Sequence, residues 1–251
     1  MYLWDAVIVA LCLGVATVYK RCTSRSKVPS WRQFTFYCGL LGVIVLMTGP
    51  LAHAALSSFQ LHMVQHVGLM MLVSPALVLG APIAVWNAVR PERVELWLRH
   101  PAVRVLASPK VGFVLFISTL LSTHFSPLAS WANTNTVAHQ AVLVLFLVVG
   151  LIYYYPVLTG NPLPTPTPHG IRIGSLLLMM LPETMTGFFL YASGHPFHVG
   201  NPSLSDAEAL HQQQAGGAMM WAAAMAIDTV WIAVAVRDWL ADEEAKSHVS
   251  E

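Results

Sequence analysis

Apolar residues fall in seven blocks along the chain, roughly 2–19, 34–54, 60–82, 108–124, 136–156, 172–193 and 212–236. Charged, polar or proline-rich stretches separate them. Most blocks reach the ~20 residues that a helix needs to cross the apolar core of a bilayer. The fourth is shorter, at about 17 by the same reading. The third stays apolar past Pro75 and Pro82 to Trp86, and either proline can kink or end a helix. The pattern predicts an all-α, polytopic membrane bundle of about seven transmembrane helices. Between the third and fourth blocks, Pro91 to Ala107 interleaves Val94, Leu96, Trp97 and Leu98 with Arg93, Arg99 and Arg104. That is the pattern of an amphipathic helix lying in the membrane interface. The run 161–168, with prolines at 162, 164, 166 and 168, predicts an extended linker. One seven-helix domain, 1–237, and an acidic cytoplasmic tail, 238–251, follow from this reading.

Placement of the cations gives the expected orientation. Lys20, Arg21, Arg25, Lys27 and Arg32 follow the first block. Arg90, Arg93, Arg99, Arg104 and Lys110 surround the interfacial segment. Arg172 opens the sixth block, and Arg237 and Lys246 follow the seventh. These are all 13 Lys and Arg residues. With seven spans and the N-terminus outside, every one lies on the cytoplasmic side, as the positive-inside rule requires. A cleavable signal carries its basic residues before its apolar run. Here the order is reversed, so the first block is expected to stay as a helix.

Composition agrees with this picture. Hydrophobic residues make up 56% of the chain and charged residues 10%, against about 25% charged in a typical soluble domain. The net charge of +1 has no basic or acidic domain behind it, which leaves no nucleic-acid partner to argue for. Cys12, Cys22 and Cys38 form no CxxC or CxC pair, and no disulfide framework or thiolate metal site is expected.

The histidines do not follow the cations. By the same topology His53, His62, His66, His124, His139, His195, His198 and His211 lie at outer span ends or in outer loops. His100, His169 and His248 lie inside. An imidazole-rich rim without Lys or Arg is a candidate for a metal ion. Its sharpest element is His62-Met-Val-Gln-His66. Residues i and i+4 share a helix face, so His62, Gln65 and His66 form a polar stripe that must face the bundle and not lipid. His124 ends the fourth block and His139 opens the fifth. Met63 and Met70 lie near by, and thioether with imidazole suits Cu(I). His53, His195, His198 and His211 are accessory candidates. The bland alternative is an interfacial histidine bonded to a carbonyl or a lipid headgroup.

Glu183 and Asp228 lie within the sixth and seventh blocks at similar expected depth. An intramembrane acid is a functional candidate, and a structural pair sharing a proton is the alternative. In the last block Gln212, Gln213 and Gln214 can bond across helices, and Gly216 and Gly217 allow close packing. Met219, Met220 and Trp221 read as apolar filling.

Several of these stretches resemble the CtaG-type cytochrome c oxidase assembly factor family. They are His62-Met-Val-Gln-His66 continuing through Leu72-Val-Ser-Pro75 to Leu79-Gly-Ala-Pro82, and Gln213-Gln214-Ala-Gly216-Gly217-Ala-Met-Met220-Trp221. The segments around His124 and His139 are similar to the family's fourth and fifth spans. The likeness covers roughly residues 35–236. It departs at Gln212, where the family usually has Asp, and at Thr123, where it usually has Trp. The resemblance implies a role in making an active haem-copper oxidase, with copper insertion as its chemistry. It puts the family's recurring histidines on His62, His66, His124 and His139. It further implies haem-copper oxidase subunits and a copper chaperone as partners, a bacterial plasma membrane location, and no turnover as an enzyme.

Three other readings compete. A haem-binding cytochrome would use axial histidines, though these crowd the rim. A proton-linked carrier would use Glu183 and Asp228, but no inverted repeat is visible. A metal-free scaffold would use the rim histidines as partner contacts. A retinal protein is excluded, because Lys20, Lys27, Lys110 and Lys246 all lie at or beyond the inner edge.

Overall fold

The computed structural model describes residues 2–126, 131, 135–158, 160–197 and 204–249. Every regular element among them is helical. Six helices are long and apolar enough to cross a membrane: Leu3–Thr23, Ser30–Met47, Phe59–Val89, Thr136–Val157, His169–Ala192 and Asp206–Ser247. The remaining expected span, Pro109–Phe125, is an apolar helix of 17 residues.

The chain opens with α1 (Tyr2–Thr23) and α2 (Ser30–Met47). The second apolar block does not continue as one helix. Pro50 disfavours helical backbone at the residue before it, and Gly49 takes a left-handed φ of 71°, open to glycine at little cost. Thr48 is extended (φ −136°, ψ 167°), and a short α3 (Gly49–Ala55) follows.

The third block is the centre of the bundle. It comprises α4 (Phe59–Val67), a π-helical stretch (Gly68–Val73) and α5 (Ser74–Leu79). Between His62 and Leu79 only Leu72 is exposed. The π stretch follows from Pro75, which has no N–H to give the Met71 carbonyl and crowds it sterically. Trp231 supplies the missing donor from another helix, Nε1 to Met71 O at 2.9 Å. The Ser74 hydroxyl contacts both Leu69 O (2.8 Å) and Leu147 O (3.0 Å). A Cβ on Gly150 would stand 2.5 Å from Ser74 Oγ and 2.8 Å from Met70 O. Glycine therefore lets α10 (Thr136–Val157) lie against the π stretch.

After a left-handed Ala81 (φ 53°) come α6 (Pro82–Val89), α7 (Pro91–Arg99) and α8 (Pro101–Leu106). The expected single interfacial helix is thus two short ones. Pro101 holds His100 extended (φ −64°, ψ 132°) for the same steric reason as at Thr48–Pro50. Then follow α9 (Pro109–Phe125), α10, α11 (His169–Ala192) and α12 (Asp206–Val249). Residues 161–168 form no helix, as their prolines predict. Asn161 in that run is a clamp. Its Oδ1 accepts from Ile83 N (2.9 Å) and its Nδ2 donates to Val78 O (2.8 Å), which spans the break between α5 and α6.

α4 packs on α12, α5 on α2 and α10, and α9 on α10 and α11, while α1 lies outside against α2 and α6. α11 and α12 run together along much of their length. Their crossing is at Gly187 and Gly217, where an added Cβ would come within 2.9 and 2.7 Å of the other glycine's carbonyl oxygen. α12 has 44 residues, or about 66 Å at 1.5 Å per residue. It passes the expected boundary at residue 237 without a break. What the sequence reading takes as a solvated tail begins as helix. Asp238 and Asp242 face α11, at 3.9 Å from Arg172 and 2.8 Å from His169.

Candidate functional site

Two helix starts bring the histidines to one end of the bundle. The Ser58 hydroxyl caps α4 by accepting from Leu61 N, and the Asn135 side chain caps α10 by accepting from Val137 N (2.9 Å) and Ala138 N (3.0 Å). His62 and His66 then lie on the first turns of α4, and His139 on the first turn of α10. His124 sits in the last turn of α9. All four are buried, at 7%, 2%, 1% and 2% exposure in the order His62, His66, His139, His124.

The four rings meet as two pairs. His62 faces His139 with centroids 5.1 Å apart, and His66 faces His124 at 4.7 Å. Phe146 stacks on His66 at 4.1 Å. Among the described residues no group of three or more His, Cys, Asp or Glu side chains is arranged to hold a metal. The predicted cluster is therefore a set of facing pairs, not a preformed three- or four-ligand cage.

Hydrogen bonds set the tautomers. Gln65, fully buried, donates Nε2 to Leu46 O (2.6 Å) and presents Oε1 to His139 Nε2 at 3.1 Å. With its amide oriented this way, His139 carries its proton on Nε2. Leu120 O can only accept, so the 2.7 Å contact puts the His124 proton on Nδ1, with Thr123 Oγ1 3.2 Å from the same nitrogen. The His124 and His139 rings are thus each fixed through one nitrogen by the protein, as hydrogen bonds to surrounding groups fix a metal-ligating histidine. His66 Nδ1 is buried with no partner among the described residues, an orphaned donor or acceptor of the kind that asks for an explanation.

The other candidates divide. Met63 (1% exposed) and Met70 (0%) are buried, but Met63 turns towards Gly216 of α12. His53 lies apart, 3.2 Å from Asp5 of α1. His195 meets Phe197 edge to face (4.9 Å), which in turn meets Phe125 (5.8 Å), the neighbour of His124. The predicted cross-helix glutamines hold this loop. Gln213 accepts from Phe197 N (2.7 Å) and reaches Leu190 O (3.2 Å), and Gln214 donates to Ser193 O (3.2 Å). Gln212 accepts from Phe59 N (3.2 Å). His211 is exposed, and His198 lies outside the described residues. Glu183 and Asp228 are brought together deeper in the bundle, away from the histidines.

Sequence reasoning missed Phe146, Thr123 and the Phe125–Phe197 contact. Thr123 was visible as a departure from the resemblance, and the aromatic contacts carried no sequence signal beyond apolarity.

The family model described as cytochrome c oxidase caa3 assembly factor (Caa3_CtaG) matches residues 9–242. The chain belongs to this caa3 assembly factor family. The matched region contains both histidine pairs and both intramembrane acids. Relatives include an uncharacterised protein of Mycobacterium leprae (strain TN), 27% identical over 85% of this chain and 35% of the relative. Uncharacterised proteins of Mycobacterium tuberculosis (strain CDC 1551 / Oshkosh) and Mycobacterium bovis (strain ATCC BAA-935 / AF2122/97) are each 28% identical over the same shares. The chain thus spans about a third of the length of these relatives, at 35%. No solved structure matches it.

Proposed function

We propose that this caa3 assembly factor family member receives Cu(I) as cargo at its histidine end and delivers it to a haem-copper oxidase. The chain would cross a bacterial plasma membrane seven times, counting α9, with the N-terminus and the histidine end outside. The observation that carries the reading is the pairing of four buried imidazoles from three helices. Two of their rings are oriented by hydrogen bonds, and His66 has an unsatisfied nitrogen.

Imidazole is a good copper ligand and thioether a soft one, and a d10 ion such as Cu(I) tolerates two or three ligands. A pair of facing histidines is then a sufficient resting place, and two adjacent pairs are two steps of a transfer path. His195, on the loop held by Gln213 and Gln214, would meet the ion first. The His66–His124 pair would follow. A single ion needs only a turn of the rings. A porphyrin would need a slot where Phe146 and Leu143, both 0% exposed, are packed, which disfavours haem.

Purified protein loaded with Cu(I) under reducing conditions and freed of excess metal should retain about one copper per chain. The His62→Ala/His66→Ala variant should lose it, with oxidase copper loading abolished in cells while the variant stays in the membrane. Retained copper or normal oxidase loading in the variant would end this reading. A second reading is a scaffold that holds oxidase subunits through the same histidine end, with the facing rings as partner contacts. It is the conclusion if neither form binds copper.

A further inference from the structure

A second polar island lies inside the bundle. Glu183 of α11 and Asp228 of α12 are each 1% exposed. All four carboxyl oxygens are buried with no hydrogen-bond partner among the described residues, on two helices that pack along much of their length, and each carboxyl has the other as its acidic neighbour. Tyr154 of α10, 0% exposed, brings a hydroxyl that also has no partner there. Tyr153 donates to Ser175 O (3.1 Å) and accepts from the Ser175 hydroxyl (3.3 Å), and its ring meets that of Tyr154 at 4.9 Å.

Among the described residues no ion pair reaches either carboxyl. Arg172 lies 11 residues before Glu183, roughly 16 Å along the axis, and Asp238 lies ten residues after Asp228, roughly 15 Å away. α9 carries Lys110 and His124 at its two ends, and the histidines of α4 lie in its outer turns. The titratable groups that face the pair are Tyr153 and Tyr154 of α10.

Carboxylates only accept hydrogen bonds. Two of them facing each other in apolar surroundings, without a counter-ion, leave buried charge unpaired at high cost. One proton between them makes an O–H···O bond, the strong charge-assisted kind, and ties α11 to α12. An amide pair would give the same tie. A carboxyl differs from an amide in that it can release its proton. Pro182, inside α11, precedes Glu183 and removes a helical N–H there.

We infer that Glu183 and Asp228 form an intramembrane proton-binding site, separate from the imidazole pairs, that holds one exchangeable proton between the two carboxyls. The Tyr154 hydroxyl stands beside it, and Tyr153 with Ser175 continues the hydroxyls towards the arginine end. On release the carboxyl O–H bond breaks, the proton leaves and no electron moves.

Infrared spectroscopy of the full chain in lipid vesicles, titrated with pH, reads this directly. The native protein should show a carboxylic-acid C=O band that shifts in D2O and loses amplitude as pH rises. The Glu183→Gln/Asp228→Asn variant should lack it. Glu183→Gln alone keeps a donor towards Asp228 and the link between the helices. In it the remaining Asp228 band should move in both frequency and pH midpoint. Identical spectra for native protein and the double variant would overturn the proposal. So would a band that stays constant over the whole pH range in which circular dichroism reports intact helices, since that describes a fixed structural bond. An Asp228 signal unaffected by Glu183→Gln would overturn the sharing. Should the double variant fail to fold, the single variant gives the same decision.

Discussion

The two ends of the bundle use polar side chains in different ways. At the arginine end, long polar side chains reach the backbone carbonyls at helix ends. Arg32 donates to Leu79 O (2.9 Å), where α5 ends, and Arg172 donates Nε to Val157 O (2.6 Å), where α10 ends. Helix C-termini leave carbonyls unsatisfied and attract positive charge, so the two guanidiniums close two helices. Tyr19 donates to Gly80 O (2.6 Å) and Tyr155 to Pro162 O (2.5 Å). At the histidine end backbone bonds are made as well, from Gln65 to Leu46 O and His124 to Leu120 O, but imidazoles also face one another in pairs. Hydrogen bonds there orient the His124 and His139 rings. The comparison teaches that burial of a polar residue does not by itself mark a site. What separates the ends is whether buried side chains of the same chemistry are also brought face to face.

The comparison can be broken most severely at Arg172. Arg172→Met should destabilise the protein by about 2–3 kcal/mol, because a charged donor is lost and the Val157 carbonyl is left buried. Thermal unfolding in detergent should show this, with bound copper per folded chain unchanged. A copper defect in that variant would mean the ends are not separate. Next in size is Gln65→Leu, at the other end. It removes the bond that fixes His139 and should weaken Cu(I) affinity by 10–100-fold, as for other groups that orient a ligand. A competition assay against a Cu(I) chelator measures it. Asn161→Ala should cost about 1–2 kcal/mol of stability through the lost bonds to Ile83 and Val78, again without a copper effect. Trp231→Phe should be mildest, about 1 kcal/mol, since it removes one neutral hydrogen bond to Met71 O. Hydrogen exchange at residues 68–75 should rise in that variant before the rest of the helix is affected.

Much of this was legible in the sequence. The apolar blocks gave the long helices, since period and length are properties of single segments. The HxxxH spacing gave a shared face, and α4 does turn His62 and His66 inward. The limits appear where two segments must act together. The breaks at Thr48–Pro50 and His100–Pro101 lie at prolines that hydrophobicity alone passes over. The expected tail beyond residue 237 is helix, because Asp238 and Asp242 meet Arg172 and His169 of another element. The pairing of the four histidines as His62–His139 and His66–His124 depends on how α9, α10 and α4 are rotated about their axes, which no single segment carries. Arg32 and Arg172 read as orientation signals in the sequence, and their work as C-terminal caps needed the fold.

The π-helical stretch at 68–73 behaves like a one-residue insertion between the histidines and Pro75. A helix turns about 100° per residue. Deleting one residue there would straighten the helix and swing everything on one side of it by that angle relative to the other. Either the histidines would turn from their partners, or Ser74 and Pro75 would turn from Gly150 and Trp231. Ordinary substitutions at Leu69 or Met71 leave this phase intact. The stretch is therefore far more sensitive to changes in length than to changes in side chain. Insertions and deletions within these few residues should be the rarest kind of variation among functional versions of the chain.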